Sequence, residues 1–307
     1  MRDQTRVIKK IIYSRANFQS LKMARERASL RALSYFIERN IFMQLILPKL
    51  IFSKLMRAIV EFDMIQNNDK ILIGLSGGKD SLLLSYALAT LKQRIKINFN
   101  LAAVTINPMF NDNFQCDELK NFCAILNIPH EIHNVDINSA ILSRSDKSPC
   151  FTCAYFRRAA INRIANKIGA NKVAYAHHLD DAVETFFMSL LSSGQLTTFT
   201  PKTFLSRSNI TVIRPLVYLR EFQIESFVAK NNFNVVKSPC PIDGKTNRQT
   251  VKNLIANLSK DFPDLFNHLA AAMRESSIGE LWSAPKSLAD MRKTYFSYVS
   301  SNAILDN

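Results

Sequence analysis

One hexapeptide constrains this chain more than any other feature. The apolar run Lys70–Leu75 (KILIGL) passes directly into Ser76-Gly77-Gly78-Lys79-Asp80-Ser81, and an apolar helical pattern follows over residues 81–91. The chain has only seven glycines, and two of them are adjacent here. Paired glycines let a loop turn tightly and bring its N–H groups up to an anion, and the following helix adds free N–H donors and the positive end of its dipole. Lys79 supplies a compact positive charge, and Ser76 and Ser81 supply hydroxyls. A strand, this loop and a helix together describe a cradle for pyrophosphate. The spacing is not that of the Walker A loop, which requires G-x-x-x-x-G-K-[ST]. An ordinary Gly-Gly turn with a serine cap would not need Lys-Asp-Ser in place.

The rest of the chain alternates in the same way. Strand patterns at 70–75, 99–107, 131–135, 172–176 and 210–213 are separated by helical patterns at 81–91, 115–126, 156–168 and 180–191, with Gly169 set to end one helix. A helix starts at Glu221 and the C-terminus reads as helical. Such alternation predicts an α/β fold, a doubly wound parallel sheet with helices on both faces, carrying helical N- and C-terminal extensions. The divisions read as a basic arm over 1–40, an amphipathic helical segment over 41–66, the nucleotide domain over 67–235, and a cysteine-bearing loop with a helical tail over 236–307. The arm carries ten Lys or Arg against three Asp or Glu, and reads equally as a solvated tail or an electrostatic arm; Met43 is an alternative start.

A second polar cluster, His177-His178-Leu179-Asp180-Asp181-Ala182-Val183-Glu184, follows the strand pattern at 172–176. Ligand crevices of open α/β sheets lie at the C-terminal ends of strands. Asp180 suits the N-cap of the next helix, and Asp181 or Glu184 its first turn. Capping does not account for a His-His pair beside them. Carboxylates here suit Mg²⁺ on ATP phosphates, and imidazoles suit a phosphate or a charge developing on a leaving group.

Five cysteines, an odd number with a single C-x-x-C, do not form a disulfide framework, and they point to a reduced compartment. Cys150-Phe151-Thr152-Cys153 lies where a loop enters a helix, with Arg157 and Arg158 following, and Cys240 sits between Pro239 and Pro241. Three thiolates leave two metal readings: zinc completed by His133 or Asp243, or an iron–sulfur site. Cys116 and Cys123, seven apart on a helical pattern, read as buried small hydrophobes. The net charge of +15 favours a polyanionic partner, RNA or DNA ahead of membrane. No signal peptide is read, and the most apolar stretch, 41–60, is interrupted by Pro48, Lys49, Lys54 and Arg57 and is not expected to span a bilayer.

S-G-G-x-D-S is the signature of the PP-loop ATPases, and the chain resembles the tRNA 2-thiocytidine synthase family among them. The match runs in order through SGGKDS, CFTCAYFRR, AHHLDD, Ile213-Arg214-Pro215-Leu216, Arg220-Glu221, Pro239-Cys240 and Asn247-Arg248-Gln249. The resemblance implies ATP on residues 76–81, with Lys79, Asp80 and Asp181 catalytic, and His177, His178 and Asp180 joining the nucleotide site. It implies Mg²⁺ on Asp80 or on Asp180 and Asp181, and a [4Fe–4S] cluster on Cys150, Cys153 and Cys240. It further implies tRNA held by Arg157, Arg158 and Arg214, a sulfur donor such as a cysteine desulfurase, and a cytoplasmic enzyme, and it allows a homodimer. The implied reaction adenylates the C2 oxygen of an anticodon-loop cytidine and replaces it with sulfur. Two departures stand out: Asp243 where family members often carry a second cysteine, and Pro108-Met109-Phe110-Asn111 in place of an acidic, glycine-containing strand end. The rival readings are a lysidine-synthetase-like ligase, which has no use for the three cysteines, a desulfurising relative, and a diverged RNA-binding protein without catalysis.

Overall fold

The structure is a computed structural model, and it describes residues 45–110, 116–143, 148–236, 240, 247–275 and 286–299. The basic arm and Asp243 lie outside the described residues, as does the side chain of Cys116. The described residues, from Leu45 onward, belong to one compact unit.

Six strands form a single sheet in the order β3-β2-β1-β4-β6-β5, comprising β1 (Lys70–Gly74), β2 (Asn100–Asn107), β3 (His130–Asn134), β4 (Lys172–Ala174), β5 (Lys202–Leu205) and β6 (Ile210–Ile213). All neighbouring pairs are parallel except β5 on β6. The edge strand β5 was not expected from the sequence. It is four residues long, polar at Lys202 and Thr203, and acquires its strand character only by pairing with β6.

Helices cover both faces. Alternate side chains of a strand point to opposite faces, and β1 shows the consequence. Ile71 and Ile73 join the larger core with α1 (Lys49–Glu61), α2 (Lys79–Arg94), α3 (Cys116–Ile125), α6 (Leu179–Ser193) and α7 (Glu221–Lys230). Leu72 faces the other way, into a smaller core with Val104, Val173 and Ala160, Ile161 and Ile164 of α5 (Pro149–Lys167). A strand buried on both faces must be apolar throughout, which is why KILIG reads as a continuous run rather than an alternation. Beyond these lie the short α4 (Ile137–Leu142), not anticipated from the sequence, and α8 (Asn247–Asp261), α9 (Leu265–Glu275) and α10 (Leu288–Tyr298). None of the described helices is long and apolar enough to cross a membrane.

The strand order has its switch between β1 and β4. From β1 the chain winds outward through β2 and β3, then returns to β4 on the opposite side. The crevice at such a switch is where open α/β sheets bind ligands. The two polar motifs of the sequence follow β1 and β4, which run side by side in register, Ile71 against Lys172 and Ile73 against Ala174.

Candidate active site at the switch between β1 and β4

The phosphate loop is fixed by its own hydroxyls. Ser81 Oγ accepts the N–H groups of Ser76 (3.2 Å) and Gly77 (3.1 Å) and donates to the Gly78 carbonyl (2.9 Å). Ser76 Oγ accepts from Gly78 N–H at 3.3 Å. Gly77 has φ +85°, in the left-handed region, and a Cβ there would lie 2.9 Å from Cβ of Val236. Glycine is required at this position both for backbone conformation and for space. Gly78, by contrast, has φ −72° and serves as the N-cap of α2.

Lys79 and Asp80 open α2. Lys79 Nζ donates to Glu221 Oε1 at 2.9 Å and lies 3.7 Å from Asp80 Oδ1. Asp80 Oδ1 is buried and has no hydrogen-bond partner. Burial raises the Asp80 pKa, while His178 and Lys79 oppose that rise. A buried carboxylate oxygen left bare of donors carries a desolvation cost. It also fits a cation brought in with the nucleotide.

The motif after β4 differs locally from the sequence expectation. His178, not Asp180, is the N-cap of α6: its Nδ1 accepts from Asp181 N–H at 3.4 Å, and Asp181 Oδ2 accepts from His178 N–H at 3.0 Å. An imidazole acceptor and a carboxylate three residues on can close this reciprocal box as Ser and Glu do elsewhere. Asp180 is thereby free to act on a different helix. It accepts the Glu221 N–H at 2.8 Å at the start of α7 and is held by Arg220 Nε at 3.1 Å. His178 Nε2 stands 3.4 Å from Asp181 Oδ2 and 3.7 Å from Asp80 Oδ1, so this imidazole joins the two motifs. His177 turns away, packed between Tyr175 and Phe199 with Arg214 Nε on its Nδ1 at 3.3 Å. Burial holds its pKa well below the ordinary value, partly opposed by Asp181.

The expected nucleotide residues Ser76, Gly77, Gly78, Lys79, Asp80, Ser81, His178, Asp180 and Asp181 therefore converge at one strand switch, with His177 beside them. The three arginines expected to hold RNA separate in kind. Arg158 is exposed on α5, and Arg157 lies near enough to Cys153 to favour its thiolate. Arg214 is turned into the fold, with Nη1 on the Thr200 carbonyl at 2.6 Å and its guanidinium over the Phe199 ring.

Three groups in the site had no role assigned from sequence. Glu221 takes Lys79 on one carboxylate oxygen and Lys252 Nζ on the other, at 2.5 Å. Burial would raise its pKa, but the hydrogen bonds from Lys252 and Lys79 bring it down to about 2. Arg248, four residues before Lys252 on α8, reaches Asp181 Oδ1 (3.1 Å) and Glu184 Oε2 (3.0 Å). A cavity of about 320 Å³ opens here, lined among others by Asp180, Arg220, Glu221, Lys252 and Phe266. All of these contacts join residues far apart in the chain, so no local pattern announces them.

Cys150 and Cys153 sit in the first turn of α5, capped by Ser148. Cys150 is exposed, Cys153 and Cys240 half-buried, and Cys123 buried, its thiol pushed up to about 12 by burial. Burial also raises the Cys153 thiol; Arg157 opposes the rise, and the nearby Cys240 and Cys150 add to it. The chain at Val236, four residues before Cys240, is anchored on the phosphate loop, Val236 N–H donating to the Gly77 carbonyl at 3.0 Å. Among the described residues, no three His, Cys, Asp or Glu close around a single metal ion. His133, weighed as a zinc ligand, is on β3 against Glu131 at 3.0 Å.

A PP-loop domain model matches residues 49–258. A tRNA-cytidine(32) 2-sulfurtransferase of Geobacter sulfurreducens is 34% identical over 221 residues, covering 71% of this chain and 86% of that protein. The enzyme of the same name from Janthinobacterium sp. is 33% identical over 222 residues, covering 71% and 69%. Among solved structures, the U34-tRNA thiolase NcsA from Methanococcus maripaludis, described with its [4Fe–4S] cluster, shares the fold at a TM-score of 0.59 and 24% identity, over 72% of this chain and 76% of that one. The chain belongs to the PP-loop family, among the tRNA-cytidine 2-sulfurtransferases.

Proposed function

We propose that this protein is an ATP-dependent tRNA sulfurtransferase that converts an anticodon-loop cytidine to 2-thiocytidine. The observation that carries the reading is the meeting of two motifs at the β1–β4 switch: a glycine loop built for pyrophosphate and, joined to it through His178, the acids Asp80 and Asp181.

The triphosphate lies over the loop at residues 76–81, with Lys79 released from Glu221 onto its oxygens. Asp80, whose buried Oδ1 has no donor, and Asp181 hold the accompanying Mg²⁺. Asp180 fixes the start of α7 and so the position of Glu221. The C2 oxygen of the cytidine attacks the α-phosphate and pyrophosphate leaves; sulfide then adds at C2, and AMP departs with the original oxygen. His178 Nε2, 3.7 Å from Asp80 and 3.4 Å from Asp181, adds an imidazole to the phosphate side of the site. Cys150, Cys153 and Cys240 would supply the three thiolates of a [4Fe–4S] cluster: Cys150 and Cys240 are near enough to Cys153 to raise its thiol, although the three do not close around one ion in the structure. When bound, that cluster would supply a site for the incoming sulfide, which a donor such as a cysteine desulfurase provides once a thiol reductant has reduced its persulfide. Exposed Arg158, with Arg157, meets the RNA backbone, making binding salt-sensitive. The reading is of a cytoplasmic enzyme, and it allows a homodimer. A lysidine-type ligase would leave the three cysteines without work.

The test uses anaerobically purified protein reconstituted with iron and sulfide, ATP and an unmodified tRNA transcript. Cys240→Ala is expected to retain ATP-dependent pyrophosphate release and lose 2-thiocytidine, and Lys79→Ala to lose both. Thiolation by Cys240→Ala at the wild-type rate would overturn the cluster assignment.

A further inference from the structure

We propose that Lys252, on α8, is a second phosphate-binding lysine of the ATP site, held beside Lys79 by Glu221. The inference rests on the ATP reading above and adds a residue to it.

Glu221 is a fixed two-sided acceptor. Its N–H is capped by Asp180, and its two oxygens take Lys79 at 2.9 Å and Lys252 at 2.5 Å. The ammonium of Lys252 is thus brought within one carboxylate's width of the ammonium of the phosphate loop. Glu221 thus holds two ammoniums side by side, and Asp80 at 3.7 Å and Glu225 at 3.9 Å also face Lys79. A polyphosphate arriving on the loop competes with Glu221 for both cations, and charge-assisted contacts to phosphate oxygens are the strong ones.

Two further observations set Lys252 toward the ligand rather than the core. Its side chain is 42% exposed against 17% for Glu221, so it forms the open side of the trio. It also borders the cavity of about 320 Å³ with Glu221 and Asp180. The acids around that cavity are already matched, Asp180 by Arg220 and Glu184 by Arg248. The cavity adjoins the loop through Glu221 and Lys252, and Asp80 on the loop side is the carboxylate that needs the accompanying Mg²⁺. Lys252 is a point charge with rotatable donors, able to leave Glu221 and follow a triphosphate. The arrangement makes α8 part of the nucleotide site rather than a helix packed behind it.

The experiment measures binding of α,β-methylene-ATP with Mg²⁺, and of AMP, by isothermal titration. Wild type is compared with Lys252→Met, Lys252→Arg and, as a control further along the same helix, Lys260→Met. Lys260 is exposed and donates to Asn257 Oδ1 at 3.0 Å. Lys252→Met is expected to weaken the triphosphate analogue about tenfold, the loss of one charge-assisted contact, and to leave AMP unchanged. Lys252→Arg should stay within about threefold of wild type, and Lys260→Met should match wild type. Unchanged analogue binding by Lys252→Met, or an equal loss in Lys260→Met, would overturn the assignment. If wild type itself bound no analogue, the ATP reading would fall and this inference with it.

Discussion

Val236 donates its backbone N–H to the carbonyl of Gly77 over 3.0 Å, with its side chain against the Cα of that glycine. This contact ties the chain at Val236, four residues before Cys240, to the phosphate loop. Gly77→Ala would force a Cβ to 2.9 Å from Val236 Cβ at a φ of +85°. Strain of that kind costs about 1–3 kcal/mol. We expect a Tm several degrees lower and loss of both adenylation and thiolation. Gly78→Ala, whose Cβ would meet only Ser76 Oγ at 3.5 Å, should melt like wild type. Thermal melts of the two variants separate a conformational requirement from a general intolerance of the loop.

Asp80→Asn should part stability from function. The buried Oδ1 of Asp80 has no hydrogen-bond partner, so the carboxylate is costly to the fold without ligand. The amide should leave Tm unchanged or raise it, while the stabilisation that wild type gains from Mg-ATP disappears. Melts with and without Mg-ATP provide the check.

Glu221 gives a pH signature. Its pKa falls from 4.5 to about 2 because, against the effect of burial, Lys252 and Lys79 hydrogen-bond the carboxylate. A depressed carboxyl pKa stabilises the fold above the unfolded value and loses that contribution as pH falls through the window down to the folded value. Glu221→Gln should therefore lie below wild type in Tm near neutral pH, and the gap should narrow from about pH 5 to about pH 3. A gap constant over that range would contradict the ion-pair geometry.

Glu61 on α1 and Arg274 on α9 form an ion pair whose side chains are 1% and 9% exposed. Glu61 also takes Arg57 Nε at 3.3 Å, so losing Arg274 costs less than the about 3–5 kcal/mol of a fully stranded buried charge. Arg274→Met should be destabilised in denaturant melts, and Arg57→Met with Arg274→Met should be destabilised further than the sum of the two single changes. The pair docks the C-terminal helices onto the first described helix.

The sequence was informative where structure is local. The strand KILIG, the loop after it, the helix starts near Lys79, Leu179 and Glu221, and the grouping of the two polar motifs follow from apolar runs, glycines and the rule of strand ends. It misled at Asp180, which looks like a cap for its own helix; His178 takes that role, and Asp180 caps the helix that begins at Glu221 instead. It marked Arg248 only as part of the matching motif Asn247-Arg248-Gln249, with no role, and was silent on Lys252. Their partners lie 64–67 and 31 residues away, and an exposed-looking Arg or Lys in a helix carries no mark of the acid it will meet. Arg214 was expected among the basic residues that hold tRNA; its guanidinium donates to the Thr200 carbonyl and to His177, contacts no local pattern announces.

The central claim is sulfur insertion into a tRNA cytidine, with the three cysteines required. Its most direct test is mass spectrometry of tRNA nucleosides from the native organism with this gene deleted, then restored as wild type or as Cys150→Ala. The account predicts that 2-thiocytidine disappears on deletion and returns only with the wild-type gene. Undiminished 2-thiocytidine after deletion, in an organism with no second such enzyme, would contradict it.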